Sequence, residues 1–348
     1  MKKVVTFGLV LLLLAPAIFA DDAKVMPKLV GRLVIAPNFT LVPGAYDDDK
    51  KLQKFDDSLK ILNLGFALEF GIINWITAAV QWAPGWTPWS DISPATPISN
   101  ANTNGVADLF IGAKIQIIGE NAPVKKSNIR FAVAPGVLIP LPGFDMKDEF
   151  PNMMADKKTT MSNMDNHVWG VGGRFYFDYI VNKNFFINFF NESLFYVSKG
   201  DLNEKDFTFN GVKAVGAGAF DGVKGEIDYK YKLTFEIEPV FSIPFGEKLI
   251  FMAGLPVNYK FSPAPEYSIS GLSEPLLTMF KTGLAQRLNL DPGNSHTLSI
   301  NPNITFFLTT KLPMEFKLQY NLPVWGMNAQ AKHTFMFQYK LYFAFGKR

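Results

Sequence analysis

The stretch Leu62-Asn-Leu-Gly-Phe-Ala-Leu-Glu-Phe70, the turn Gly71-Ile-Ile-Asn74 and the return Trp75-Ile-Thr-Ala-Ala-Val-Gln-Trp82 decide the fold. Leu62, Leu64, Phe66, Leu68 and Phe70 share one parity, as do Ile76, Ala78, Val80 and Trp82 on the return. The complementary positions hold Asn63, Gly65, Ala67 and Glu69, then Thr77, Ala79, Gln81 and Ala83. Successive side chains of a strand point to opposite faces. Each segment therefore has an apolar face and a small or polar face, the pattern of a barrel strand with lipid outside and water inside.

Length separates this reading from a soluble sandwich, whose strands run roughly 3 to 10 residues over a shared core. Further along, Ile227, Tyr229, Tyr231, Leu233, Phe235 and Ile237 alternate with Asp228, Lys230, Lys232, Thr234, Glu236 and Glu238. A membrane strand tilted by about 45° needs about 9 to 11 residues, and this run meets that length. The same pattern places strands at 31–42, 59–71, 75–84, 106–118, 128–140, 166–179, 185–197, 225–243, 249–261, 296–309, 314–323 and 332–345. Their connections alternate between short ones, at 71–74, 119–127, 180–184, 244–248 and 310–313, and long ones. Outer-membrane barrels combine short periplasmic turns, long extracellular loops and an even strand count. The expected fold is an all-β, antiparallel, up-and-down transmembrane barrel of about twelve strands, with both mature termini periplasmic. Either of the loops at 198–224 and 262–295 is long enough to hold an extra hairpin, which would raise the count to fourteen, although their glycines and prolines favour loop.

The ends of the chain agree with export. Lys2 and Lys3 precede an apolar run from Val4 to Leu14, then Pro16 and the small Ala20 before Asp21. This is the layout of a cleaved secretory signal over 1–20, leaving a barrel domain over 21–348. The apolar run is about half the roughly 20 residues of a spanning helix. Losing the signal removes two of the 34 basic residues, which leaves a near balance with 31 acidic ones and gives no indication of nucleic acid. The absence of Cys excludes disulfides, thiolate metal sites and a Cys-linked lipid. At the other end Phe335, Phe337, Tyr339, Leu341, Phe343 and Phe345 alternate with Thr334, Met336, Gln338, Lys340, Tyr342 and Ala344. A terminal strand of this kind resembles the signal by which barrel-insertion machinery recognises its clients. Trp75, Tyr179 and Tyr320 near strand ends, and Trp82, Trp86, Trp89, Trp169 and Trp325 near the long loops, suit interfacial girdles in outer-membrane lipid.

Two stretches resemble a known family. Phe70-Gly-Ile-Ile-Asn-Trp-Ile-Thr-Ala-Ala-Val80 and Gly105-Val-Ala-Asp-Leu-Phe-Ile-Gly-Ala-Lys-Ile115 are similar to a turn-plus-strand and a Gly-x-x-Asp-apolar-x-apolar-Gly-x-Lys strand of the meta-pathway phenol-degradation outer-membrane barrel proteins. The resemblance implies a twelve-strand-type channel or transporter. Long-chain fatty-acid transporter-like barrels are the neighbouring alternative, but they carry an N-terminal hatch, and only about ten residues separate Asp21 from the first strand here.

Parity assigns Glu69, Asp108, Lys114, Arg130, Arg174, Asp178, Glu192, Asp228, Lys230, Lys232, Glu236, Glu238, Lys260 and Lys340 to the interior. Small residues share that face, among them Gly65, Ala67, Gly112, Ala132, Ala134, Gly136 and Gly172. Charged side chains lining a pore set its selectivity; the competing expectation is a lumen plugged by cross-strand ion pairs. The expected solute path is lined by Glu69, Gln81, Asp108, Lys114, Arg130, Arg174, Lys230, Glu236 and Lys340. The expected function is passive passage of small solutes, hydrophobic or aromatic ones included, with no cofactor and no catalytic residues. The alternatives are a structural or adhesive barrel acting through its loops and, further off, a rim hydrolase built on Asp165 with His167 or on Ser295 with His296. No Gly-x-Ser-x-Gly elbow or paired-His motif supports the hydrolase. Two loop features remain: Leu276, Leu277, Phe280, Leu284 and Leu288 at helical spacing, and the Asp47–Asp49 run, which with Asp56 and Asp57 could hold a cation or be a solvated loop.

Overall fold

The computed structural model describes residues 22–91, 101–141, 159–161, 168–202, 224–271, 274, 277–278 and 293–345. The expected signal segment, Asp165 and His167 lie outside the described residues. So does most of the expected loop helix, of which Glu274, Leu277 and Thr278 are described and helical.

Twelve antiparallel strands close into one barrel. They are β1 (Val30–Tyr46), β2 (Leu52–Ile73), β3 (Ile76–Asp91), β4 (Leu109–Gly119), β5 (Ile129–Ile139) and β6 (Gly170–Asn182). The second half comprises β7 (Phe185–Tyr196), β8 (Tyr231–Phe245), β9 (Leu249–Gly254 and Val257–Ser262), β10 (Ser295–Ile300 and Asn303–Leu308), β11 (Met314–Met327) and β12 (His333–Ala344). Each pairs with its neighbours in sequence, and β12 returns to β1 from Val30↔Ala344 to Leu41↔His333. Closure satisfies every edge, which a strand structure in lipid requires.

Burial is the reverse of a soluble protein. Leu68, Phe175, Phe235, Phe241, Leu318 and Phe335 are exposed, while Asn63, Thr77, Asp178, Asn188, Glu238 and Glu315 are buried. The period-two pattern thus selects the face toward hydrocarbon and the face toward the interior. Trp86, Trp89 and Trp169 are exposed toward the long loops and Tyr179 toward the short turns, where girdle rings belong.

Three departures from the sequence pattern have local causes. The wall continues past residue 84, so Trp86 and Trp89 sit on β3 opposite Leu64 and Leu62 rather than in a loop. Gly85 permits this, because its φ of 85° and the Leu64 carbonyl oxygen 2.2 Å from where a Cβ would stand exclude other residues. A further register shift between Thr87 and Ser90 puts both of those side chains inside. Next, the expected strand 225–243 divides at Lys230, whose φ is 60°. Lys224–Asp228 leaves the wall and joins Gly200–Leu202 and Glu266–Ser270 in a separate three-stranded sheet. The described strand residues of the two longest loops, Gly200–Leu202 and Glu266–Ser270, thus flank Lys224–Asp228 outside the wall, and the wall keeps twelve strands. Finally, β9 and β10 are each interrupted, at Leu255–Pro256 and at Asn301–Pro302, because proline has no N–H for the ladder. The gap is bridged by the Asn301 amide, which donates to the Pro256 carbonyl at 2.8 Å.

Strands also outrun the membrane. At the long-loop end β1 and β2 pair up to Tyr46↔Leu52, and Ala329–Gln330 adds to the same rim through Ala45 and Tyr46. A test of the face assignment follows from β12. Phe337 lies opposite Leu318 on the outer face, and Gln338 lies opposite Lys317 on the inner one. Phe337→Arg is expected to cost about 2–4 kcal/mol in reversible urea unfolding from vesicles, whereas Gln338→Glu, placed beside a lysine, leaves the midpoint within error.

Candidate functional site

The lumen has three levels, and the lowest is filled by the chain itself. Residues 22–28 precede β1, yet they run up inside the barrel before the wall begins. The Ala23 amide donates to Asp178 Oδ1 at 2.9 Å and the Met26 amide to Thr77 Oγ1 at 2.7 Å. From the wall, Lys114 Nζ donates to the Asp22 carbonyl at 2.7 Å and Gln116 Nε2 to the Ala23 carbonyl at 2.9 Å. Met26 packs among Phe186, Val240, Met252, Phe307 and Tyr342, an apolar cluster on the inner face of the short-turn half. Lys24 pairs with Asp22 at 3.5 Å and lies over the Phe186 ring. Backbone polar groups make most of these bonds, and their partners Asp178, Thr77 and Gln116 are buried, so the segment replaces the water that would otherwise solvate the wall.

Buried ion pairs complete the same level. Arg32 Nη2 meets Glu69 Oε2 at 2.6 Å, and Lys340 Nζ meets Glu315 Oε1 at 2.8 Å while the Tyr342 hydroxyl donates to Glu315 Oε2 at 3.0 Å. Arg130 lies 3.7 Å from Asp178 and 3.6 Å from Glu120. Lys114 Nζ is also 3.8 Å from the centroid of the Tyr176 ring. Arg32, Glu315 and Lys317 were absent from the expected interior set, although their neighbours' parity places them there.

Arg174 forms the middle level. Its Nε donates to Glu192 Oε2 at 2.5 Å, its Nη1 to the Gln81 side-chain oxygen, and its guanidinium lies 4.5 Å from the Phe110 ring. Gln81 is on β3 and Arg174 on β6, so the contact spans the lumen over β4 and β5. It can do so because Gly136 leaves room: a Cβ there would stand 2.2 Å from the Phe110 ring, which instead lies against the wall. A cavity of about 120 Å³ adjoins this network, lined by Gln81, Asp108, Arg174, Glu192, Tyr196 and Lys232 among others. Asp108 is buried where the wall steps from Ala101–Val106 to β4, and its Oδ1 accepts the Leu141 amide at 3.2 Å. Nearby, Glu236 accepts from Asn258 Nδ2 at 3.0 Å.

Above this lies an open vestibule of about 440 Å³ at the long-loop end, lined by residues of β7 to β11 and the adjoining loops. Tyr196 and Lys232 border both this space and the smaller cavity, so the two are neighbours along the wall. Lys230, expected to line the path, instead stands at the rim, where its Nζ meets Glu266 Oε1 of the three-stranded sheet at 2.6 Å. Asp228 belongs to that sheet as well. The reversed backbone at Lys230 breaks the alternation that placed both inside. The structure therefore brings Gln81, Arg174 and Asp108 together, assigns Glu69, Arg130, Lys114 and Lys340 to the filled level, and separates Lys230 from all of them.

The other candidates resolve locally. Ser295 and His296 occupy adjacent, hence opposite, faces of β10. His296 Nδ1 bonds the Tyr259 hydroxyl at 2.7 Å and His333 Nδ1 the Tyr320 hydroxyl at 2.7 Å, each within an aromatic stack. Asp47 accepts the Lys51 amide and the Gln53 side chain, and Asp49 pairs with Lys51 in solvent. Those bonds hold the Asp47 carboxyl below the usual carboxylate range, the Gln53 bond first among them. Among the described residues no cluster of three or more His, Asp or Glu has the arrangement of a metal site.

The sequence matches no family model and no curated protein. Solved structures do resemble it. The COG4313 outer membrane channel from Pseudomonas putida F1 superposes with a TM-score of 0.60 at 12% identity, covering 94% of this chain and 100% of that one. The beta domain of the Bordetella autotransporter BrkA gives 0.41 at 8% identity over 90% of this chain and 99% of that one. The P. putida toluene transporter TodX gives 0.39 at 9% identity over 93% and 92%. The first of these establishes a shared fold: the chain is an outer-membrane-type β-barrel.

Two measurements check the filled level. The Ala23 and Met26 amides are expected to resist hydrogen exchange as strongly as wall amides; exchange at the rate of a free peptide would contradict the bonds described. Glu315→Ala leaves Lys340 buried without its carboxylate and should cost about 3–5 kcal/mol in urea unfolding, and Glu315→Ala paired with Lys340→Met should recover most of that loss.

Proposed function

We propose that this barrel is an outer-membrane channel through which small solutes, hydrophobic and aromatic ones included, pass passively. They enter at the long-loop end, which faces outward, and leave past residues 22–28 on the periplasmic side, where both termini lie. The observation that carries this reading is the division of the lumen. An open vestibule leads down to the Arg174 network, and below it wall ion pairs share the lumen with a segment held by hydrogen bonds, by Lys24 and by one methionine. Such a segment can be displaced without breaking a wall hydrogen bond. The shared fold with an outer membrane channel supports the same reading. Its partners would be outer-membrane lipid on the apolar face, the solute within, and insertion machinery reading β12.

A second reading, a barrel acting through its loops, draws on the three-stranded sheet folded above the rim. Planar-bilayer recording separates the two. Ala23→Pro removes the amide that Asp178 accepts, and Met26→Asp puts a charge into the apolar cluster; neither alters a residue of the wall itself. The channel reading predicts that either change raises single-channel conductance several-fold over the parent. A barrel that stays silent in all three forms while remaining folded would overturn it.

A further inference from the structure

Five basic side chains on the inner face of the lower and middle levels each have an acceptor or a ring. Arg32 has Glu69, Arg130 has Asp178, Arg174 has Glu192, Lys340 has Glu315 and Lys114 has the Asp22 carbonyl and Tyr176. At the rim, Lys199 pairs with Glu226 and Lys230 with Glu266. The vestibule departs from this rule. Lys232, Lys260 and Lys332 come from β8, β9 and the β11–β12 connection to one cavity, and among the described residues none of the three has an ion pair. Enclosure and the neighbouring Lys232 ammonium hold Lys332 below the ordinary lysine range.

Like charges sharing an enclosed space repel, and the repulsion grows as water is excluded. Lys260 lies within electrostatic reach of Glu192, which Arg174 already binds, and of Glu236. Neither carboxylate forms an ion pair with it and the Lys232 and Lys332 ammonium groups act on it more strongly, so three ammonium groups around one cavity mark a place for a mobile anion. The remaining lining fits an organic body. Tyr196 and Tyr229 pack with ring centroids 5.8 Å apart beside the lysines, and Thr297 and Asn321 add neutral polar groups. The volume of about 440 Å³ lies in the range of ligand sites, roughly 300–1,000 Å³.

We infer that the vestibule is a binding site for small aromatic carboxylates, held by Lys232, Lys260 and Lys332 through the carboxylate and by Tyr196 and Tyr229 through the ring. The inference rests on the channel reading for its place in a solute path, and it names the solute class. Lysine ammonium groups donate without accepting, which selects an anion over a neutral aromatic of the same shape.

The test is calorimetric titration of the purified full-length barrel in detergent with benzoate, with neutral benzyl alcohol as the matched probe. Benzoate is expected to bind saturably and at least tenfold more tightly than benzyl alcohol. The K232Q/K260Q/K332Q variant, its folding verified by gel migration with and without heating, should weaken benzoate at least tenfold, while Lys199→Gln leaves it unchanged. The inference is overturned if benzoate shows no saturable binding, if benzyl alcohol binds equally well, or if the triple variant retains wild-type affinity. Conductance of Met26→Asp is read separately. A barrel that conducts without binding benzoate loses this inference and keeps the channel; one that binds benzoate and stays silent keeps the site and loses the channel.

Discussion

The hydrogen-bonded seam between β1 and β12 is the constraint from which the rest follows. A sheet in hydrocarbon cannot leave an edge unpaired, because each orphaned backbone group costs several kcal/mol. Once the first and last strands are paired, the alternation of side chains leaves only two environments, lipid and lumen. Polar residues then collect inside at a density that a soluble core would not accept. Asp178, Glu238, Glu315, Lys340 and Arg32 are all buried there.

That crowding explains the lower lumen. Twelve strands enclose more space than the eight whose side chains fill a barrel completely, and less than the sixteen or more of an open pore. Side chains from the wall meet only partway, and this chain supplies the remainder from residues 22–28. Amides and carbonyls of that segment complete the hydrogen bonds of Asp178, Thr77, Lys114 and Gln116, while Met26 covers the apolar patch around Phe307. Among the described residues the upper lumen receives no such filling, and a cavity lies between Lys232, Lys260 and Lys332.

The wall was legible in the sequence because its rule is simple. Phe335 to Phe345 and Leu62 to Phe70 read correctly from period two alone, as did the inward placement of Arg130, Arg174 and Asp178. Errors arose where the backbone changes phase. Gly85 and the shift after Thr87 carried Trp86 and Trp89 from an expected loop onto the wall, and the positive φ at Lys230 carried it to the rim. The filling segment gave no signal, because seven residues held largely by backbone groups show neither periodicity nor a distinctive composition. The vestibule lysines were partly visible: Lys232 and Lys260 had inward parity, but only the fold could show that they converge with Lys332 and that, among the described residues, none of the three forms an ion pair.

The central claim, that alternate residues of each strand divide between hydrocarbon and lumen, can be measured along β12. The chain has no native cysteine, so single cysteines at each position from 335 to 342 can carry a nitroxide in lipid vesicles without background. Collision with oxygen, which concentrates in hydrocarbon, should be high at positions 335, 337, 339 and 341 and low at 336, 338, 340 and 342. A profile without a period of two, or with the phase reversed, would contradict the account.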